Sequence, residues 1–206
     1  MRSLARVISG SVIPMTLAGI FLVHVSANRL AGATAATPRP QAEREGNGAP
    51  ADRTEFAVVG RTAPKLTIEQ WVRGQPVALE DARGKVVLLD FFQIICPGCR
   101  AAHPYIVEMQ RRYSNRGFQV LGIAVAFELF SHQSPDHIRR YVDREAFPYP
   151  VAIDRGLIES FRRYRARGTP FAAVIDRKGR LRYLDFFRPG LVEALIQELL
   201  DEKASG

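Results

Sequence analysis

The sequence predicts an α/β domain built on a central mixed β-sheet with helices on both faces. Three observations carry that expectation. From Phe56 onward, apolar runs of strand length alternate with stretches of helical spacing, and no internal repeat or second linker interrupts them. Two of the runs, "VVLLDFF" and "FQVLGIAVAF", are almost continuously apolar, as strands buried on both faces are. Towards the end, "FAAVID" and "LRYLDFF" flank the turn "RKGR", a hairpin that adds an antiparallel pair.

The chain begins with Arg2 and Arg6 ahead of a mostly apolar run from Val7 to Val25. An N-terminal hydrophobic helix is expected over residues 1–27, either as a cleaved signal peptide or as a signal anchor. Gly10, Pro14, Gly19 and His24 weaken it as a permanent span, and small residues allow cleavage after Ala27, Ala33 or Ala35. Left uncleaved, it would be oriented by its basic flank with the N-terminus inside. Residues 28–54 are rich in Ala, Gly, Pro and charge without an apolar period, so a flexible linker reaching on the order of 30 Å is expected. The folded domain is then expected over residues 55–206.

Within that domain, Leu66 to Trp71 and Val77 to Leu79 read as a short hairpin around Gly74, ahead of the first buried strand. "CRAAHPYIVEMQRRY" has helical spacing and stops at Asn115 and Gly117. After the second buried strand, residues 135–145 read as a helix capped by Ser134 or Ser131, and "YPVAID" as a short strand. A helix is expected from Leu157 to Tyr164, and "GLVEALIQELLDE" reads as a closing amphipathic helix.

The net charge of +8 comes mainly from scattered arginines, and the one dense cluster, Arg162 to Arg167, reads as a solvated helix face and loop. No nucleic-acid-binding motif accompanies it, so no nucleic-acid partner is expected.

Cys96 and Cys99 are the only cysteines, too few for a disulfide framework, and a chemical use is expected. A zinc site needs two further ligands, and His103, His132 and His137 have no paired spacing, so no metal is expected. Cys96 falls at the start of a helix, where unpaired N–H groups and the helix dipole favour a thiolate. It is the expected nucleophile, with Cys99 close enough to resolve a mixed disulfide. Pro97 suits the first helical position, and Gly98 admits a partner backbone. Asp90 lies in "VVLLDFFQII", where eight of ten residues are apolar. Its carboxylate is expected to be desolvated, on the face of Leu88 and Phe92 beneath the Cys99 helix, as a candidate proton acceptor. His103 neighbours Pro104 and is expected on the surface, the alternative being an influence on Cys99; Trp71, Phe186 and Phe187 are expected in the core or on the sheet surface.

"DFFQIICPGC", with Pro104 five residues after Cys99 and "RGTPF" downstream, resembles the thioredoxin superfamily. The resemblance implies a thioredoxin-like fold, a buried acid at Asp90, a helix kink at Pro104 and a cis-proline at Pro170 facing the cysteines. Over about residues 60–200, "APKLTIEQWVRGQPVALEDARGKVVLLDFF", "VLGIAVAF" and "FAAVIDRKGRL" are similar to the exported, often membrane-tethered TlpA/ResA-like redoxins. Ile95 stands where relatives usually carry tryptophan, and Ala102 where many carry glutamate.

What this resemblance implies is an exported thiol–disulfide oxidoreductase on the extracytoplasmic or periplasmic side of the cytoplasmic membrane, anchored or released. It would reduce disulfides of exported proteins, with cytochrome c maturation as one setting. Cys96, Cys99 and Asp90 form the implied catalytic set. Thr169, Pro170, Ile95 and Pro97 form the implied substrate-binding set, Thr169 offering main-chain hydrogen bonds to an extended peptide. No cofactor beyond the redox-active Cys96–Cys99 disulfide is implied. Electrons would come from another dithiol protein, such as a membrane transporter of reducing equivalents. Two other readings remain open. A peroxiredoxin-like peroxidase needs a T-x-x-C setting, where this chain has Gln93, and a copper-binding chaperone would use Cys96 and Cys99.

Overall fold

The computed structural model describes residues 56–126 and 133–202. The expected N-terminal helix (1–27), the linker (28–54), the alternative cap Ser131 and His132 lie outside the described residues. Among the described residues no helix is long and apolar enough to cross a membrane.

Among the described residues, six strands form one mixed sheet. At its centre runs β2 (Val86–Phe92), parallel to β3 (Phe118–Ala124) on one side and antiparallel to β5 (Phe171–Ile175) on the other. Beyond β3 lies β4 (Val151–Asp154), parallel to it, and β1 (Ile68–Arg73) closes that edge antiparallel to β4. The other edge is β6 (Leu181–Phe186), the hairpin partner of β5. Parallel neighbours need a crossover, and α1 (Pro97–Tyr113) and α2 (Pro135–Arg144) supply the two. Ser134 caps α2, accepting from the His137 N–H at 3.3 Å.

The hairpin expected over residues 66–79 does not form. β1 pairs with β4 instead, and Val77 to Leu79 form no strand. Val77 and Leu79 pack into the core under the sheet rather than along β1, and Pro76 has no N–H to give to a ladder.

Alternation along the central strands divides the interior into two cores. Val86, Leu88 and Phe92 face α1, α2 and α4 (Pro189–Asp201), together with Val120 and Val174. Val87, Leu89 and Phe91 face the other way, with Leu121, Ile123 and Ala173, towards α3 (Glu159–Arg163) and the segment holding Ala57 and Ala82. Each such fully buried side chain stabilises the fold by roughly 1.5–3 kcal/mol relative to exposure. The helix expected from Leu157 is shorter, because Gly156 and Leu157 both adopt positive φ, at 52° and 69°. The buried Asp154 carboxylate sets its start, accepting from the Ser160 and Phe161 N–H groups, each at 2.8 Å.

Candidate functional site

The strand β2 delivers a short loop, Gln93 to Ile95, onto the start of α1. Cys96 is the N-cap residue, Pro97 fills the first turn, and the Cys99 N–H donates to the Cys96 sulfur at 3.2 Å. The Cys96 N–H in turn donates to the Gln93 carbonyl at 3.2 Å, fixing the turn from below. Pro104 sits inside α1, which nevertheless continues to Tyr113 and ends through a 3-10 turn at Gly117, φ 85°.

The two thiols differ sharply in environment. Cys96 is partly exposed and Cys99 fully buried. Partial burial pushes the Cys96 thiol up, but interactions with the Cys99 and Thr169 side chains and the Cys99 and Gly98 backbone outweigh it. The net result is a value below that of an ordinary thiol. Burial drives Cys99 far above the usual thiol range, helped by the Cys96 thiol and by the charge of Asp90.

A second loop completes the surface. The Thr169–Pro170 peptide is cis, and the Cys96 thiol lies 3.5 Å from the Thr169 carbonyl, to which it donates. The Thr169 hydroxyl donates to Gln93 Oε1 at 3.3 Å, and the Phe187 N–H holds the Pro170 carbonyl at 3.0 Å. Gly98 faces this loop: a Cβ there would sit 3.0 Å from Pro170 Cδ. The space expected to admit a partner backbone is thus used first by Pro170. Ile95, 51% exposed, provides an aliphatic neighbour to Cys96. Gln133 locks the active loop, accepting from the Ile94 N–H at 2.8 Å and donating to the Val125 carbonyl at 2.6 Å. No sequence signal pointed to it.

Beneath the cysteines lies a buried polar cluster. Asp90 is 1% exposed on the α1 face of β2, and its register neighbours are Gly122 on β3 and Ala172 on β5. Two small side chains therefore leave room for a carboxylate at the centre of the sheet. His103, expected on the surface, is instead 1% exposed, with Nε2 3.3 Å from Asp90 Oδ2 and Nδ1 2.7 Å from the Tyr141 hydroxyl. The helical turn after Cys99 points it inward, onto the face that Phe92 and Phe147 line, at ring separations of 5.0 and 4.7 Å. The Asp90–His103 contact meets ion-pair distance without hydrogen-bond alignment. Both Asp90 oxygens, His103 Nε2 and the Tyr149 hydroxyl have no hydrogen-bond partner among the described residues. Burial, with the Asp90 charge nearby, pushes the Tyr149 phenol well above its usual range.

An accessible, lowered-pKa thiol with a buried thiol three residues on, above an acid–imidazole pair, is an arrangement suited to exchange between thiols and disulfides. Similarity to known proteins points the same way. Residues 58–186 match the redoxin family. DipZ of Mycobacterium tuberculosis is 30% identical over 151 residues, which are 70% of this chain and 21% of that protein, so the chain spans about a fifth of its length. The thiol-disulfide oxidoreductase ResA of Halalkalibacterium halodurans is 24% identical over 151 residues, covering 73% of this chain and 80% of that one. Among solved structures, a thiol-disulfide isomerase from Corynebacterium glutamicum aligns with a TM-score of 0.63 at 32% identity, covering 68% of this chain and 98% of its own. Sheet, cysteine pair and sequence likeness agree, and the chain belongs to the redoxin family, among the ResA-like thiol–disulfide oxidoreductases of the thioredoxin superfamily.

Proposed function

We propose that this protein reduces disulfides of exported proteins, with Cys96 as attacking thiol, Cys99 as resolving thiol and Asp90 as proton acceptor. The observation that carries this reading is the asymmetry of the pair: Cys96 accessible with a lowered pKa, Cys99 buried with a raised one. The Cys96 thiolate attacks one sulfur of a substrate disulfide, forming a mixed disulfide and releasing the other sulfur as thiolate. Cys99 then gives its proton to Asp90 and attacks the Cys96 sulfur. The Cys96–Cys99 disulfide forms, and the second substrate thiolate leaves. A buried thiol so reluctant to ionise needs a base, and Asp90 is the carboxylate whose charge acts on it.

Thr169, Pro170, Ile95 and Pro97 form the substrate face, the Thr169 backbone pairing with an extended peptide. No cofactor takes part, since both electrons move between sulfur atoms. A dithiol protein, such as a membrane transporter of reducing equivalents, restores the dithiol. Residues 1–27 export the domain, as a cleaved signal or as an anchor with residues 28–54 as tether, to the extracytoplasmic side. The resemblance to ResA-like redoxins supports the reducing direction and makes apocytochrome c the first substrate to try.

Insulin reduction by dithiothreitol tests the reading. The wild-type protein is expected to accelerate it, and Cys96→Ser and Cys99→Ser to abolish the acceleration. Stoichiometric Cu(I) binding by the cysteines without insulin reduction would instead favour a copper chaperone, and peroxide turnover requiring Cys96 alone a peroxidase.

A further inference from the structure

The Asp90–His103 pair is under-satisfied in a way that a settled core contact is not. Among the described residues, the ion-pair contact of Asp90 is with His103 and with no arginine or lysine. A buried carboxylate without a partner is strongly disfavoured, so the imidazole beside it is the group placed to compensate its charge. At 3.3 Å, with both side chains 1% exposed, the two groups are close enough for a proton to be shared between them. The Phe92 and Phe147 rings wall the imidazole, and both members of the pair are buried from solvent, where a polar contact counts for more than in water.

Tyr141 makes the imidazole able to change state without losing its hold. Its hydroxyl, 2.7 Å from Nδ1, donates to the neutral ring nitrogen and accepts from the protonated one. The other titratable groups around the cluster are Cys99 on α1 and Tyr149 ahead of β4, both under the Asp90 charge. Arg100 on α1 and Glu145 at the end of α2 act on Tyr141.

We infer that His103 is a positioning residue that acts through Asp90. The proton leaving the Cys99 thiol is taken up by the Asp90–His103 pair as a unit, and the pair sets the pH range in which Cys99 resolves the mixed disulfide. In that step the proton passes from Cys99 Sγ to the pair, and the Cys99–Cys96 bond forms. The bond between Cys96 and the substrate sulfur breaks, and that thiolate leaves to be protonated by solvent. The inference rests on the assignment of Cys99 as resolving thiol given above.

The test is a stopped-flow reaction of the reduced protein with an aromatic disulfide that releases one coloured thiolate on attack by Cys96 and a second on resolution by Cys99. His103→Gln keeps a neutral polar side chain beside Asp90 but cannot take up a proton. It is expected to slow the second phase by roughly tenfold or more near neutral pH and to move its pH profile towards that of Asp90→Asn. A second phase with the wild-type pH profile would overturn the inference. A wild-type protein with no second phase, or one that survives Cys99→Ser, would contradict the resolving assignment instead. Should His103→Gln not fold, nitrogen NMR of the imidazole in the wild-type protein and in Asp90→Asn decides. The inference expects the His103 titration to move on that substitution, and an unmoved titration overturns it.

Discussion

The Cys99 backbone N–H donates to the Cys96 sulfur at 3.2 Å, so the first turn of α1 solvates the thiol that the surface exposes. This single contact links helix geometry to reactivity. With the Cys96 pKa lowered, half-maximal alkylation of Cys96 is expected at a pH below the ordinary thiol value near 8.5, and Cys99 is expected to react only after unfolding. Linkage gives the sign for stability. A lowered folded-state value means that the reduced protein gains stability as pH rises from that value to about 8.5. Above it, the raised Cys99 reverses the trend, because the unfolded chain ionises there and the folded one does not. Alkylation kinetics and denaturant unfolding across pH 6 to 10 check both statements, and an ordinary Cys96 titration would contradict them.

Gly98 is held against Pro170 closely enough that an added methyl requires the Pro170 ring to give by a few tenths of an ångström. Gly98→Ala is expected to slow attack on a disulfide several-fold while costing about 1–3 kcal/mol, the usual range for overpacking. Measured exchange rates at wild-type level would show that the loop does not need its present position.

Asp154 belongs to the scaffold on the other side of the sheet, where it accepts from two buried N–H groups at the start of α3. Asp154→Ala leaves both donors unpaired and is expected to lower stability by about 2 kcal/mol or more. Cys96 alkylation at a given pH should stay as in the wild type, since the two cores are separated by the sheet. A large change in Cys96 reactivity would show coupling between the two faces.

Much of the fold was legible because its signals are local. Continuous apolar runs mark β2 and β3, "RKGR" marks the β5–β6 turn, and Ser134 announces α2. The false hairpin at residues 66–79 arose because pairing between β1 and β4 joins segments some eighty residues apart, which no local pattern encodes. Cys96 and Cys99 stood out by count and spacing, and Asp90 by polarity in an apolar strand. His103 was misjudged since its burial depends on how α1 sits on the sheet and on Phe147 and Tyr141, brought in by the α2 region. Gln133 joins the loop before Cys96, and Tyr149 the buried cluster, through tertiary contacts alone, and nothing in their neighbouring residues marks them.

The central claim is the division of labour between the two cysteines, and trapping in cells tests it most directly. Serine cannot replace Cys99 as a nucleophile, so Cys99→Ser, expressed with its native N-terminus, should accumulate thiol-sensitive adducts of exported proteins on Cys96. Cys96→Ser should accumulate few. Equal trapping by both variants, or none by either, would contradict the assignment of Cys96 as attacker and Cys99 as resolver.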